Sequence, residues 1–418
     1  MTKDMLGRSG LISVDEALNI LQMHLKGVRT AAEHIPLTEA FDRVLAEPVV
    51  SPEDLPAQAR STMDGYAVRA ADTFGASESM PCYLNITGEV QMGAAPRGEV
   101  KKGCCYKIPT GGLLPVGADS VVMFEHSVPV DETMIEIIKG VGGGTNLIQK
   151  GEDIGNGVQA LPAGHRLRPQ DIGLLAGLGI AEVAVTKKVR VGIFSTGDEI
   201  IPHTEIPQPG QIRNINSLAL AGFTLRAGAT YHDYGIVSDR EEIFLPAIQK
   251  AVIENDIVLF SGGSSVGARD LGEQVIKALG PPGVLVHGVT LKPGKPVLIG
   301  QSGTTPIFGL PGHPVSALVC FDFFVKPAIL QLSGCTKITG TPAPYVMATV
   351  TRNINSAAGR RDVVRVKITK ENETWLAVPV LGKSGSISTL SHSDGYFLID
   401  EDSQGVTEKS VIKVYLFQ

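Results

Sequence analysis

Apolar runs and amphipathic stretches alternate through the central third of the chain. A buried-type run at residues 189–194 precedes the turn "STGDE", and further apolar runs at 230–237, 256–260 and 284–290 are separated by helical patterns. This alternation predicts a doubly wound parallel sheet with helices on both faces. Right-handed crossovers place the strand-to-helix turns at one edge of such a sheet, and ligands bind at that edge.

The segments on either side have other patterns. Ser13 and Glu16 form a capping box at the start of an amphipathic helix. Residues 52–151 contain short β-type runs between glycine and proline turns, without a convincing helix. From Pro342 onward the apolar period is two, which predicts a β-barrel or sandwich.

These shifts in pattern predict four domains, since 418 residues exceed what one hydrophobic core holds. Residues 152–188 carry one helical pattern and are expected to pack with the N-terminal helix. The predicted units are a discontinuous N-terminal domain (1–51 and 152–188), a β-rich domain (52–151), an α/β domain (189–335) and a C-terminal β-barrel (336–418).

Composition limits the class of partner. The net charge is −6, which argues against a general nucleic-acid surface. No apolar run is judged long enough to cross a bilayer, and residues 1–10 lack the apolar core of a signal peptide. The five cysteines have no metal-site spacing and are expected to be reduced thiols. We expect a cytoplasmic protein without nucleic-acid or membrane partners.

Three carboxylates follow predicted strands at the ligand-binding edge: Glu199, Asp239 and Asp270. Gathered at one edge they repel each other unless a cation is present, and oxygen ligands suit Mg²⁺ bridging to a substrate phosphate. For Asp239 the alternative is equally good. It lies near the start of a helix that Ser238 and Glu241 are expected to cap, where an acidic residue is favoured.

The loop "SGGSSVG" follows a strand and precedes a helix. Its glycines allow backbone N–H groups to face an anion, and its serines add hydroxyl donors at a helix N-terminus. A tight strand-to-helix turn without a ligand explains the same residues as well. The candidate anion-binding residues are Gly262, Gly263, Ser264, Ser265 and Gly267.

Two neighbouring stretches, "LKPGKP" and "GLPGHPVSA", combine rigid prolines with permissive glycines. The bend between Lys292 and Lys295 allows both ammonium groups to enter one pocket, where an anion would offset their repulsion. A solvated surface pair is the alternative. The second stretch opens a helix N-terminus, itself an anion site. Its candidates are Pro311, Gly312, His313, Pro314 and Ser316, with His313 more often a hydrogen-bonding cap than a proton shuttle.

Eight motifs together resemble one family. They are "STMDGYAVRAAD", "IPTGGLLPVGADSVVM", "GEDI", "STGDE", "GIVSD", "SGGSSVG", "LKPGKP" and "GLPGHPVSA", in this order. The chain is identified by them as a member of the MoeA family, the molybdopterin molybdotransferases, similar to the E domains of gephyrin and its plant counterpart. The resemblance implies that the sheet domain is MogA-like. The resemblance covers nearly the whole chain and is weakest at the C-terminal end.

The resemblance implies a reaction. Molybdenum from molybdate enters adenylylated molybdopterin, Mg²⁺ assists, and AMP is hydrolysed off. Molybdate is expected to bind Lys292, Lys295 and Ser316, with Arg365 and Ser388 from the C-terminal domain. The two glycine-containing turns would cradle the pterin phosphate, and Glu199, Asp239 and Asp270 would surround the metal and the pyrophosphate.

Three further candidates match family motifs outside the sheet domain: Asp64, Thr110 and Asp153. Family members resemble elongated homodimers with the site between subunits, so we expect these residues to act from the partner chain. The implied partners also include a MogA-type adenylyltransferase and the apoproteins of molybdoenzymes.

The chain departs from the family pattern at three positions. His313 replaces a frequent asparagine, the first serine of "GGSS" replaces valine, and Asn214 replaces an acid. These departures leave open the alternative that the protein is a tungstate-specific paralogue. A non-catalytic scaffold is a second alternative, and an adenylyltransferase a third, although proteins of that type consist of little more than the sheet domain.

Overall fold

The computed structural model describes residues 10–262, 266–336 and 344–417, with residues 266–270 described by their backbone alone. Besides the two-residue strands Ile200–Ile201 and Ile212–Arg213, residues 190–310 supply seven strands. They are β1 (Arg190–Thr196), β2 (Thr230–Val237), β3 (Ile257–Gly262), β4 (Pro282–His287), β5 (Leu291–Lys292), β6 (Leu298–Ser302) and β7 (Thr305–Leu310).

Six of these strands form the central sheet, in the order β2-β1-β3-β7-β6-β4. Strands β2, β1, β3 and β7 run parallel, as predicted. Strand β6 is antiparallel to both of its neighbours, which the alternation of strands and helices did not indicate. The cause is a tight hairpin between Ser302 and Thr305, in which Gly303 adopts a φ of +56°.

Helices cover both faces of the sheet, which confirms the doubly wound fold. The helices are α1 (Asn216–Arg226), α2 (Glu241–Glu254), α3 (Val266–Ala278), α4 (Pro314–Cys320) and α5 (Lys326–Leu332). Apolar residues of α1, α4 and α5 share one core with Val191 and Ile193 of β1. Helices α2 and α3 share the other core with Phe194 of the same strand, as the alternation of side chains along a strand requires.

Helices α4 and α5 are joined by a π-helical turn, Phe321–Val325, into one continuous apolar run. The run 314–332 is long and apolar enough to cross a membrane by length and composition, contrary to the expectation from the sequence. Sixty-seven per cent of it is buried within the protein, which accounts for its apolar character as a core helix.

The N-terminal domain is discontinuous, as predicted, but its two segments are joined by strands. Strand Ala32–Pro36 pairs antiparallel with Glu182–Thr186, and helix Pro169–Gly177 packs beside them. The expectation that the N-terminal helix joins this unit is wrong. Helix Val14–His24, capped by the Ser13 hydroxyl at the Glu16 N–H, buries its apolar stripe in the core of the sheet domain.

The β-rich segment forms its own six-stranded sheet. In spatial order its strands are Ser120–Met123, Gly65–Val68, Cys104–Ile108, Cys82–Glu89, Met134–Ile137 and Ser127–Pro129. The prediction that this segment is β-rich is confirmed, and its bounds as a domain stay a prediction.

The C-terminal segment is a closed barrel, as predicted. Its five strands are β8 (Tyr345–Val350), β9 (Arg361–Glu371), β10 (Thr374–Pro379), β11 (Gly395–Ile399) and β12 (Val411–Leu416). Strand β11 pairs with both β12 and β9 and thereby closes the barrel. The short strand β5 of the sheet domain adds to the edge of β9, so the barrel and the sheet domain share hydrogen-bonded backbone.

Candidate active site

A cavity of about 730 Å³ lies where the sheet domain meets the barrel. The segments containing both proline–glycine stretches line it from the sheet domain, and residues of β9 and the loop after β10 line it from the barrel. Five cationic side chains contribute to its wall: Lys292, Lys295, Arg360, Arg365 and Lys383. This excess of positive charge is typical of a site for an anion.

Arg365 gives the clearest evidence for an anion. It is 7% exposed, its Nη2 donates to the Gly382 carbonyl oxygen at 3.2 Å, and its Nε has no hydrogen-bond partner within the described part of the chain. Burial lowers the pKa of the Arg365 guanidinium, because removal from water disfavours the charged form. No carboxylate forms an ion pair with it among the described residues. A buried, unpaired cation is costly, so an anionic ligand would stabilise it.

The two lysines of "LKPGKP" line this cavity together, as the sequence predicts. Lys292 ends strand β5, and its Nζ lies 3.4 Å from Oδ2 of Asp362, a buried residue of β9. Arg360 donates from Nε to the other oxygen of Asp362 at 2.8 Å. Sequence reasoning missed Arg360 and Asp362, because nothing local indicates that β9 pairs with the strand before the proline–glycine bend.

The loop "GLPGHPVSA" contributes Pro311, Gly312, His313 and Ser316 to the cavity wall. Pro314 is the first residue of helix α4, as predicted, and is absent from the lining. The side chain of His313 makes no capping hydrogen bond. Its Nδ1 lies 2.9 Å from the hydroxyl oxygen of Ser384, on the barrel loop that covers the cavity.

The carboxyl end of β3 approaches its neighbour closely at Gly262, which lines the cavity. A Cβ atom at Gly262 would lie 1.8 Å from the carbonyl oxygen of Thr196, so only glycine fits. Gly263, Ser264 and Ser265 lie outside the described residues. Gly267 is the second residue of helix α3, which begins directly after that gap.

Two of the three predicted carboxylates, Glu199 and Asp239, lie near each other at the same sheet edge, after β1 and β2. The pKa of Asp239 is raised, chiefly by burial and further by the nearby charges of Asp198 and Glu199. The predicted capping box is wrong. Helix α2 begins at Glu241, and the Ser238 hydroxyl donates to Asp198 Oδ1 at 2.9 Å.

The metal site remains a prediction. Asp270 lies on helix α3, and its side chain is outside the described part of the structure. Among the side chains that are described, no three of histidine, cysteine, aspartate or glutamate are arranged to hold a metal ion.

Asp64, Thr110 and Asp153 do not line the cavity. Thr110 N–H donates to Asp64 Oδ1 at 2.7 Å in the β-rich domain, so these two candidates form one exposed unit. The backbone N–H of Asp153 donates to the Leu55 carbonyl oxygen at 3.1 Å, and its side chain is exposed.

Models of one protein family match most of the chain in three consecutive segments. They are described as "MoeA N-terminal region (domain I and II)" over residues 12–179, "Probable molybdopterin binding domain" over 192–331 and "MoeA C-terminal region (domain IV)" over 347–417. Among curated proteins, the molybdopterin molybdenumtransferase of Haemophilus influenzae is 32% identical over 390 residues, which cover 93% of this chain and 94% of that protein. The chain belongs to the MoeA family.

Other members agree with this assignment. The molybdopterin molybdenumtransferase of Bacillus subtilis is 30% identical over 419 residues, with 99% of this chain and 96% of that protein covered. The crystal structure of a molybdopterin biosynthesis MoeA protein of Pyrococcus horikoshii OT3 is 34% identical and has a TM-score of 0.83, with 97% of this chain and all of that chain covered.

Within the MoeA family pattern, the departure at Asn214 has a structural explanation. Its Oδ1 accepts from the Ser195 hydroxyl at 2.9 Å and from Ser217 N–H at 3.3 Å, at the start of helix α1. An aspartate accepts the same two bonds, so asparagine keeps this contact and removes one charge.

The predicted anion ligand Ser388 starts a helical turn, Ser388–Ser391, and does not line the cavity. Its role stays a prediction.

Proposed function

We propose that this chain is a molybdopterin molybdotransferase, which inserts molybdenum from molybdate into adenylylated molybdopterin, with Mg²⁺-dependent hydrolysis of the pyrophosphate bond and release of AMP. The observation that carries the proposal is the buried guanidinium of Arg365 in a cationic cavity, without a carboxylate partner within the described part of the chain. The names of the relatives, which specify molybdopterin and a molybdenum transferase, supply the chemical identity.

The cavity suits two anionic substrates. Molybdate is a tetrahedral dianion, and Lys292, Lys295 and Arg365 would bind it with Ser316 at the N-terminus of helix α4. A cavity of about 730 Å³ also falls within the size range of small-molecule sites. The pterin phosphate would occupy the turns at Gly262 and Gly312.

The carboxylates fit Mg²⁺ by charge and by donor type. Burial raises the pKa of Asp239 first, and the like charges of Asp198 and Glu199 raise it further. Mg²⁺ commonly uses one or two carboxylates together with substrate phosphates, so Glu199 and Asp239 would hold it, with Asp270 as a third ligand. When bound, the ion would neutralise charge on the pyrophosphate.

The protein's own groups would then orient and neutralise the substrates without a covalent nucleophile. Pyrophosphate hydrolysis depends mostly on charge stabilisation and positioning, which lysine and arginine side chains provide. Because Asp64, Thr110 and Asp153 lie outside the cavity of their own chain, we propose that they act in the site of a partner subunit. The functional form would be a cytoplasmic homodimer.

Transfer of the metal tests this function. The purified protein is incubated with adenylylated molybdopterin, Mg²⁺ and molybdate, and the molybdenum that co-purifies with the pterin is measured by mass spectrometry. We expect one molybdenum per pterin, and none when a chelator removes Mg²⁺. A pterin that stays free of metal would contradict the proposal. A parallel incubation with tungstate determines which anion is preferred.

A further inference from the structure

Asp362 is the one carboxylate among the described residues that line the cavity. It is 5% exposed and contacts two of the cavity cations. Its Oδ1 accepts from Arg360 Nε at 2.8 Å, and its Oδ2 lies 3.4 Å from Lys292 Nζ and 3.5 Å from Arg360 Nη2. One buried carboxylate therefore fixes a lysine and an arginine on the same wall.

The backbone fixes this group as well. Lys292 of β5 and Asp362 of β9 are register partners in a parallel pair, and the Arg361 N–H donates to the Thr290 carbonyl oxygen at 2.8 Å. Lys292 belongs to the sheet domain, whereas Arg360 and Asp362 belong to the barrel. The arrangement of the two cations thus depends on the junction between the domains.

One edge of the Arg360 guanidinium, the edge that contains Nη1, is available to a ligand. The guanidinium presents Nε and Nη2 to Asp362, and Nη1 has no hydrogen-bond partner within the described part of the chain. An arginine that is fixed along one edge by a carboxylate has lost rotamer freedom before the ligand arrives, so less entropy is lost on binding.

We propose that Asp362 is a positioning residue that presents Arg360, beside Lys292, as a further ligand for a tetrahedral oxyanion in the cavity. The inference rests on the proposed function and deepens it. Molybdate and the pyrophosphate of the adenylylated pterin share this chemistry, and separate binding measurements distinguish them.

Replacement of Asp362 separates positioning from net charge, because the two effects have opposite signs. Asp362→Asn removes a negative charge from the cavity, so charge alone would tighten the binding of anions. If Asp362 acts by positioning, the same change loosens Arg360 and Lys292 and weakens the binding.

The test is calorimetric titration of the full chain with sodium molybdate and, separately, with inorganic pyrophosphate. We expect Asp362→Asn and Arg360→Met each to weaken the affinity for at least one anion by roughly tenfold, the size of one charge-assisted hydrogen bond. Lys367→Met, an exposed lysine of the same strand outside the cavity lining, is the matched loss of charge and is expected to leave both affinities unchanged. Weakening for molybdate alone assigns Arg360 to that anion, and weakening for pyrophosphate alone assigns it to the nucleotide.

Two further measurements distinguish positioning from a general structural role. Asp362→Asn is expected to weaken binding less in an Arg360→Met background than in the wild type, since it acts partly through Arg360. Arg360→Lys, which keeps the charge and loses the planar fork, is expected to weaken the binding as well, and it keeps the test open if Asp362→Asn fails to fold. In the proposed reaction, Asp362→Asn should raise KM for the anion more than it lowers kcat.

Unchanged or tighter binding of both anions by folded Asp362→Asn or Arg360→Lys would overturn the inference. Failure of the proposed function gives a different result. The wild-type protein would then transfer no metal, although the variants would still bind the anions more weakly than the wild type.

Discussion

Asp64 and Thr110 are 46 positions apart in the sequence, and the backbone N–H of Thr110 donates to Asp64 Oδ1 at 2.7 Å. This bond fixes the orientation of the Asp64 carboxylate. The second oxygen, Oδ2, makes no hydrogen bond within the described part of the chain and is available to a group from outside. The pair is exposed and lies away from the cavity of its own chain.

Asp64→Asn is therefore expected to preserve the fold and lose activity. The amide oxygen still accepts the Thr110 N–H bond, but the negative charge that we propose to act in the reaction is gone. We expect the rate of AMP release to fall by about 100-fold, within the range for loss of a positioned catalytic carboxylate. The melting temperature should change by only a few degrees.

Asp72→Asn is the matched control, because Asp72 Oδ2 accepts the Gly103 N–H at 2.9 Å within the same domain. We expect it to retain nearly full activity. An equal loss of activity in both variants would mean that Asp64 supports only the loop.

Arg365→Met is expected to separate stability from anion binding. Without an anion, the methionine removes a buried charge that has no carboxylate partner among the described residues, so the melting temperature should stay the same or rise. Molybdate should raise the melting temperature of the wild type and have no such effect on the variant. Thermal scans with and without molybdate measure both effects, and a molybdate-dependent shift retained in the variant would exclude Arg365 as a ligand.

Gly262→Ala is expected to damage the sheet edge. The added Cβ would lie 1.8 Å from the Thr196 carbonyl oxygen, so β1 and β3 must separate. We expect a loss of about 2 kcal/mol or more in the free energy of unfolding, as for other overpacked sites, together with loss of activity. Gly222→Ala in helix α1 is the control, since a Cβ there meets nothing within 4 Å, and it should be neutral or stabilising. Urea denaturation measures both variants, and equal stability would contradict the close approach.

The lowered pKa of the Asp171 carboxyl leads us to expect that the stability of the N-terminal domain depends on pH. Hydrogen bonds from Arg168, and then from His165, hold the pKa of this buried carboxyl well below its ordinary value. The folded state thus favours the charged form, and its contribution to stability is present above the ordinary pKa and is lost as the pH falls.

Asp171→Asn should accordingly lower the free energy of unfolding at pH 7, by about 2 kcal/mol for a charge-assisted network. The difference from the wild type should be smaller at pH 3 than at pH 7, because the wild type begins to lose this contribution once the pH is below the ordinary pKa of the carboxyl. Asp131→Asn, in an exposed turn, serves as the comparison and should show a small effect at both values. A difference of constant size between pH 7 and pH 3 would contradict the role of the charge.

The sequence predicted what strand order alone determines. Alternating strands and helices bring Glu199, Asp239 and Gly262 to one edge, because parallel strands share the direction of their carboxyl ends. The hairpin that reverses β6 has a local signal, a two-residue turn containing Gly303, but the alternation of strands and helices does not indicate it.

The rest of the site depends on contacts between distant segments. Asp362 of β9 pairs with Lys292 of β5, and β5 has only two residues, too few to show a periodicity in the sequence. Ser384 reaches His313 from a loop without regular structure. The apolar stripe of the N-terminal helix predicts that the helix packs, but it does not predict against which core.

Release of AMP from adenylylated molybdopterin, with Mg²⁺ and with or without molybdate, tests the account most directly. We predict release by the wild type that depends on molybdate and that falls sharply in Lys295→Met, which loses one of the cavity cations. No release under any anion, from folded protein that still binds the pterin, would contradict the transferase function and indicate a binding or scaffold protein.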